Sequence, residues 1–140
     1  MKMTNNFIIK STLTEVDQAV HSVIDEIVNF ENIDDEIIFD IKLILSELLV
    51  NSLIHGNKKD PDKKIFIESN ITGDELIVKI EDEGRGFDHN LVESPVAPIN
   101  ITKISGRGIF LVKNLSDGIS FNPAGNAVTF KKILKKKESV

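Results

Sequence analysis

At 140 residues, with 41% hydrophobic and 28% charged side chains, the chain is long enough to bury one hydrophobic core without metal or disulfide staples. Cysteine is absent, which excludes disulfides and thiolate metal sites, and His21, His55 and His89 are too scattered to suggest zinc. The net charge of −5 suits a polyanion poorly, so nucleic acid is not an expected partner, and Lys131, Lys132, Lys135, Lys136 and Lys137 read as a solvated end.

The opening MKMTNNFIIK lacks the apolar core of a signal peptide, and no stretch approaches the roughly 20 apolar residues of a membrane helix. One cytoplasmic domain over residues 1–140, with no membrane contact, is the expectation. Asn6 to Lys10 is rich in β formers and predicts a strand. Thr14, with Asp17 three residues on, reads as a helix N-cap, and Val16, Ala19, Val20, Val23, Ile24, Ile27 and Val28 recur at spacings of three and four. Asp34 can cap a second helix running to about His55, stopped by Gly56 and Asn57. Its apolar residues, Ile37, Ile38, Ile41, Ile44, Leu45, Leu48, Leu49 and Leu53, cover so wide an arc that most of its circumference must be buried.

After the turn signal Asp60-Pro61-Asp62, the alternating segments Ile65–Ile71 and Leu76–Ile80 predict a hairpin through Thr72-Gly73-Asp74. A looser region from Phe87 to Ser105 leads through Gly106-Arg107-Gly108 into a helix over Ile109–Leu115. Gly118–Phe121 and Ala127–Leu134 then form a closing strand pair. Adjacent hairpin strands and segregated helices imply an α+β two-layer sandwich, with a mixed, mainly antiparallel sheet and helices on one face. A Rossmann reading fails, because the third glycine position after Gly84-x-Gly86 holds His89 and that after Gly106-x-Gly108 holds Leu111. P-loop and serine-hydrolase motifs do not occur.

Three polar features carry possible chemistry. Glu47 and Asn51 lie one turn apart on an otherwise apolar helix, and His55 continues the line. An amide oxygen there is a hard ligand suited to Mg²⁺, and a carboxylate can polarise a hydroxyl or a water, although such a pair is also what an ordinary solvated face presents. Asp82 ends an apolar strand inside Glu81-Asp82-Glu83-Gly84-Arg85-Gly86, which is either a polar turn or a pocket floor where glycines admit a flat ligand. Gly106-Arg107-Gly108 before a helix offers free N–H groups and a positive dipole end to phosphate, or is merely a capped helix start.

In this order the three segments resemble the GHKL ATPases and, among them, the bacterial anti-sigma-factor serine/threonine kinases. The motifs are Glu47 to Asn57, Asp82 to Phe87, and Gly106 to Val112. The resemblance implies a Bergerat-type ATP-binding fold in which Asn51 ligates Mg²⁺ and Asp82 accepts from the adenine amino group. It implies too that Gly84 and Gly86 shape the base pocket, that Gly106, Arg107 and Gly108 wrap the phosphates, and that Glu47 activates the attacking hydroxyl. A family threonine at the last hairpin is replaced by Asn126, with Thr129 three residues later, and Asn126 retains hydrogen-bonding capacity toward adenine. The stretch Asp88 to Ser105 is short for a lid.

By this resemblance the chain is expected to be a homodimeric kinase that binds a sigma factor and phosphorylates a STAS-type anti-anti-sigma antagonist, with ATP and Mg²⁺ as cofactors. A non-catalytic ATP-binding module and a detached histidine kinase catalytic domain are the alternatives. For the latter, the segment before Asn6 is too short to carry phosphoacceptor helices, and His21 reads as a surface histidine.

Overall fold

The structure, a computed structural model, describes residues 2–30, 32–84 and 106–135. The expectations for Gly86 and for the stretch 88–105 lie outside the described residues. Five strands, β1 (Lys2–Lys10), β2 (Lys64–Thr72), β3 (Glu75–Asp82), β4 (Gly118–Phe121) and β5 (Ala127–Ile133), form one sheet in the order β1-β2-β3-β5-β4. Every pairing is antiparallel, so the expected mixed sheet is corrected to an antiparallel one.

Connectivity explains this. Two helices, α1 (Leu13–Phe30) and α2 (Asp35–Asn51), separate β1 from β2, and the three reversals between these four successive elements return β2 antiparallel to β1. The helix α3 (Gly106–Leu115) lies between β3 and β4 in the chain, and these two strands point the same way, each being antiparallel to β5. Because β5 inserts between them, no parallel neighbours result. Gly73 holds φ +62° at the first position of the two-residue β2–β3 turn, a conformation that glycine alone adopts without a steric penalty.

Alternation along the strands sorts the side chains. Ile65, Ile67, Leu76, Val78, Ile80, Val128 and Phe130 point inward and are buried with Ile41, Ile44, Leu45, Leu48 and Leu49 of α2. Each such side chain contributes about 1.5–3 kcal/mol by leaving water. The helices cover this face alone; on the other, Ile8, Phe66 and Ile77 remain exposed. The first strand begins at Lys2 and so is longer than the sequence predicts.

The ends of the helices differ in detail from expectation. Thr12 rather than Thr14 caps α1: its Oγ1 accepts from Glu15 N–H at 3.2 Å, and Glu15 Oε1 accepts from Lys10 N–H at 2.9 Å. Asp34 is the N-cap of α2, but its side chain makes no capping hydrogen bond. At its far end α2 passes directly into a π-helical turn, Ser52–Gly56, closed by Asn57 N–H donating to Ser52 O at 2.8 Å. One of the expected solvated lysines is not solvated. Lys132 lies in β5 at 6% exposure, because strand alternation points it inward beside Phe130 and toward Asp40.

Candidate nucleotide-binding site

A cleft opens where the C-terminal end of α2 faces β3 and the β4–β5 hairpin. Leu48, Asn51, Ser52, His55 and Gly56 form one wall, Ile80 and Asp82 the floor, Ile109 of α3 one end, and Phe121 with Gly125 to Val128 the opposite wall. The lining is mostly apolar, with a few convergent polar groups.

Asn51 is buried at 8% exposure because it sits on the inward side of a helix surrounded by core. Among the described residues neither its Oδ1 nor its Nδ2 has a hydrogen-bond partner. A buried amide left in this state costs free energy, and a ligand that satisfies it recovers that cost.

Asp82 is equally buried, yet well partnered. Its Oδ1 accepts from Gly84 N–H at 2.8 Å, and the Ser52 hydroxyl donates to the same carboxylate. Burial nevertheless dominates and raises its pKa above that of an ordinary aspartate; the two hydrogen bonds offset this only in part. Its backbone is fixed on both sides, N–H to Asn126 O at 2.9 Å and carbonyl to Asn126 Nδ2 at 3.3 Å.

The two glycines around Asp82 are steric requirements. A Cβ at Gly56 would fall inside the Asp82 carboxylate, and one at Gly84 would fall on the Gly56 carbonyl. The π-turn and the end of β3 thus approach backbone to backbone, which only glycine allows. Asn57, wholly buried, fixes that approach: its Nδ2 donates to Ser11 Oγ at 2.7 Å and Lys64 O at 2.9 Å, and its Oδ1 accepts from Glu83 N–H at 2.8 Å. His55 is held below the usual histidine pKa, first by burial and then by Lys58. It therefore lines the cleft as neutral imidazole at neutral pH.

Of the residues singled out from the sequence, Asn51, Asp82 and Asn126 line one cleft and Gly84 adjoins it. Glu47 is half-buried one turn before Asn51 and does not line it. Gly106, Arg107 and Gly108 form the first turn of α3 itself rather than a loop ahead of it, and Gly108 is buried. Asn126 is occupied otherwise than expected. Its Oδ1 accepts from Asn122 Nδ2 at 2.6 Å while its Nδ2 serves Asp82, so its side chain braces the floor. Thr129 pairs with Lys79 on the opposite face of the sheet and cannot take its place.

Ser52, Gly56, Asn122 and Gly125 are not among the site residues expected from the sequence, where Gly56 reads as a helix stop and Asn122 and Gly125 as parts of a turn. Ser52 and Gly56 follow Asn51 within one helical turn or so, a spacing that could have flagged them. Asn122 belongs to a turn whose bonds, to Gly125 N–H at 2.8 Å and Ala127 N–H at 3.0 Å, have no sequence signature beyond Asn-Pro.

A family model described as the histidine kinase-like ATPase domain matches residues 9–132. The chain belongs to that family. Serine-protein kinase RsbW of Listeria innocua is 30% identical over 110 residues, 74% of this chain and 70% of that protein. An anti-sigma F factor of Oceanobacillus iheyensis is 32% identical over 108 residues, covering 72% and 73% of the two chains. A second anti-sigma F factor, from Clostridium perfringens, is 33% identical over 102 residues, covering 70% and 71%. Within the histidine kinase-like ATPases the chain accordingly groups with the anti-sigma-factor serine kinases, and ATP is the ligand that membership carries. Among the described residues no helix is long and apolar enough to cross a membrane.

Proposed function

We propose that this chain is a cytoplasmic Mg-ATP-dependent serine/threonine kinase that holds a sigma factor and phosphorylates the antagonist protein that releases it. The observation that carries the reading is the buried Asn51 amide, unpartnered among the described residues and facing the same cleft as Asp82. The similarity to serine-protein kinase RsbW and to anti-sigma F factors supports the class of partner.

In this reading Asp82 accepts from the amino group of adenine, and Gly56 and Gly84 let the π-turn close on the end of β3 so that the carboxylate is held at the cleft floor. Asn126 holds the Asp82 peptide in place from behind. The first turn of α3, Gly106 to Gly108, turns its N–H groups toward the phosphates, with Arg107 adding charge and Gly86 completing the base pocket. Among the described residues no three His, Cys, Asp or Glu side chains converge. Asn51 Oδ1, unpartnered among the described residues, is a hard oxygen ligand that would hold magnesium as part of Mg-ATP. Bound there, it would neutralise charge developing on the phosphates. Glu47, one turn back, accepts the proton of the attacking serine hydroxyl.

The test is transfer of the labelled γ-phosphate from ATP to a partner captured from native cytosol. Acid-stable phosphoserine with wild type, absent with Glu47→Ala at unchanged Mg-ATP affinity, supports the kinase; no labelled partner with wild type leaves a non-catalytic ATP-binding module. The chain acts as one domain and as a homodimer in this proposal, since β1 presents a nine-residue edge strand beside Ile8, 64% exposed. Sedimentation of wild type at twice the chain mass, reduced in Ile8→Lys, checks the dimer; a monomeric wild type refutes it.

A further inference from the structure

Lys132 is the one fully described basic side chain drawn into the core, and three elements meet at it. Its Nζ lies 3.3 Å from Asp40 Oδ2 of α2 and also donates to Leu115 O, the last carbonyl of α3. The side chains of the pair are 8% and 18% exposed. Cations are favoured at helix C-termini, and a buried ammonium needs such partners. Removing one member of a buried pair is strongly destabilising, whereas replacing both with neutral groups is often neutral, so stability alone does not account for the arrangement.

The geometry points to a positioning role: we propose that Lys132 fixes the axial placement of α3 against α2 and thereby sets where the first turn of α3 meets the nucleotide phosphates. Both helices it bridges contribute to the cleft, α2 through Leu48 and Asn51, α3 through Ile109. Lys132 itself does not line the cleft. Its grip is on the C-terminal end of α3, while the cleft and Gly108 are at the N-terminal end. A rigid ten-residue helix transmits a shift at one end to the other. The base floor is different: Asp82 is held by Ser52, Gly84 and Asn126, none of which contacts Lys132.

This inference rests on the nucleotide reading, and it predicts a split that general damage would not produce. The double variant Asp40→Asn/Lys132→Met removes both charges and keeps the approximate shapes. Calorimetry with Mg-ATP and with adenosine should show Mg-ATP affinity falling about tenfold, the scale of a lost supporting contact behind a ligand group. Adenosine affinity should stay within about twofold, because the base floor is anchored separately. Lys132→Arg, which keeps the charge and the reach to Leu115 O, should recover most of the Mg-ATP affinity. Equal losses for both ligands would reduce Lys132 to general structural support and overturn the proposal, as would unchanged Mg-ATP affinity in the double variant. A wild type that binds neither ligand would instead overturn the nucleotide reading, and this inference with it.

Discussion

Asn51→Leu should make the protein more stable and less able to bind nucleotide. The wild-type amide is buried with neither polar atom paired among the described residues, and orphaned buried groups of this kind cost about 1–3 kcal/mol. Leucine removes both groups and is the better helix former by a few tenths of a kcal/mol. Taking the low end for an amide beside an open cleft, the gain is about 2 kcal/mol, or about 6 °C in Tm for a chain of this size. The same change removes the proposed ligand to the bound metal, a charge-assisted contact worth about 2–3 kcal/mol, so affinity for Mg-ATP should fall roughly 30- to 150-fold. Thermal unfolding with and without Mg-ATP reads both effects. Without nucleotide the variant melts higher; at Mg-ATP near 100 times the wild-type Kd, wild type gains about 2.7 kcal/mol and the gap closes. A variant that melts lower without nucleotide, or that keeps wild-type affinity, would refute the account of Asn51.

Two further outcomes follow from the cleft floor. Asp82 titrates above the ordinary aspartate range because burial disfavours its ionised form. Its protonation on acidification should therefore weaken ATP binding at a higher pH than an exposed carboxylate would, and Asp82→Asn should abolish that pH dependence together with most of the affinity, as calorimetry across the acid range would record. The stability effect has the opposite sense. A raised carboxyl pKa favours the folded state below the unfolded pKa and ceases to do so as pH rises through the folded one, so Asp82→Asn should not lower Tm at neutral pH. Gly56→Ala forces a methyl into the Asp82 carboxylate and should cost about 1–3 kcal/mol in denaturant unfolding; Asp82→Ala in the same chain should restore part of that loss.

Local pattern made the elements legible because each carries its period on one face. The wide apolar arc of α2 could mean only a helix buried on most sides, and the alternation in β2 and β3 could mean only strands with one covered face. What could not be read were decisions made by distant partners. Asn57 looks locally like a helix stop, but its bonds reach Ser11 and Glu83, 46 and 26 residues away, and these anchor the π-turn against the end of β3. Lys132 stands in a run of lysines that composition assigns to solvent; strand alternation sends it inward, where Asp40, 92 residues away, receives it. Asn126 offered a free amide on paper, yet Asn122 and the Asp82 carbonyl both engage it.

The site is built where the fold places its least favourable interactions. Asn51 lacks partners among the described residues, burial disfavours the ionised form of Asp82, and the π-turn meets β3 at a distance tolerated only by Gly56 and Gly84. Each feature would be an error in a chain selected for stability alone, and each is contained by ordinary parts of the structure: Asn57 behind the turn, Asn122 and Asn126 behind the floor, the aliphatic core beneath. A ligand with an amino group to donate, a flat ring and a cation-bearing phosphate tail would answer these features together. Substitutions that relieve them should accordingly raise Tm while lowering affinity, and substitutions in the supporting residues should lower both. That difference in sign separates binding residues from bracing residues without knowledge of the partner protein.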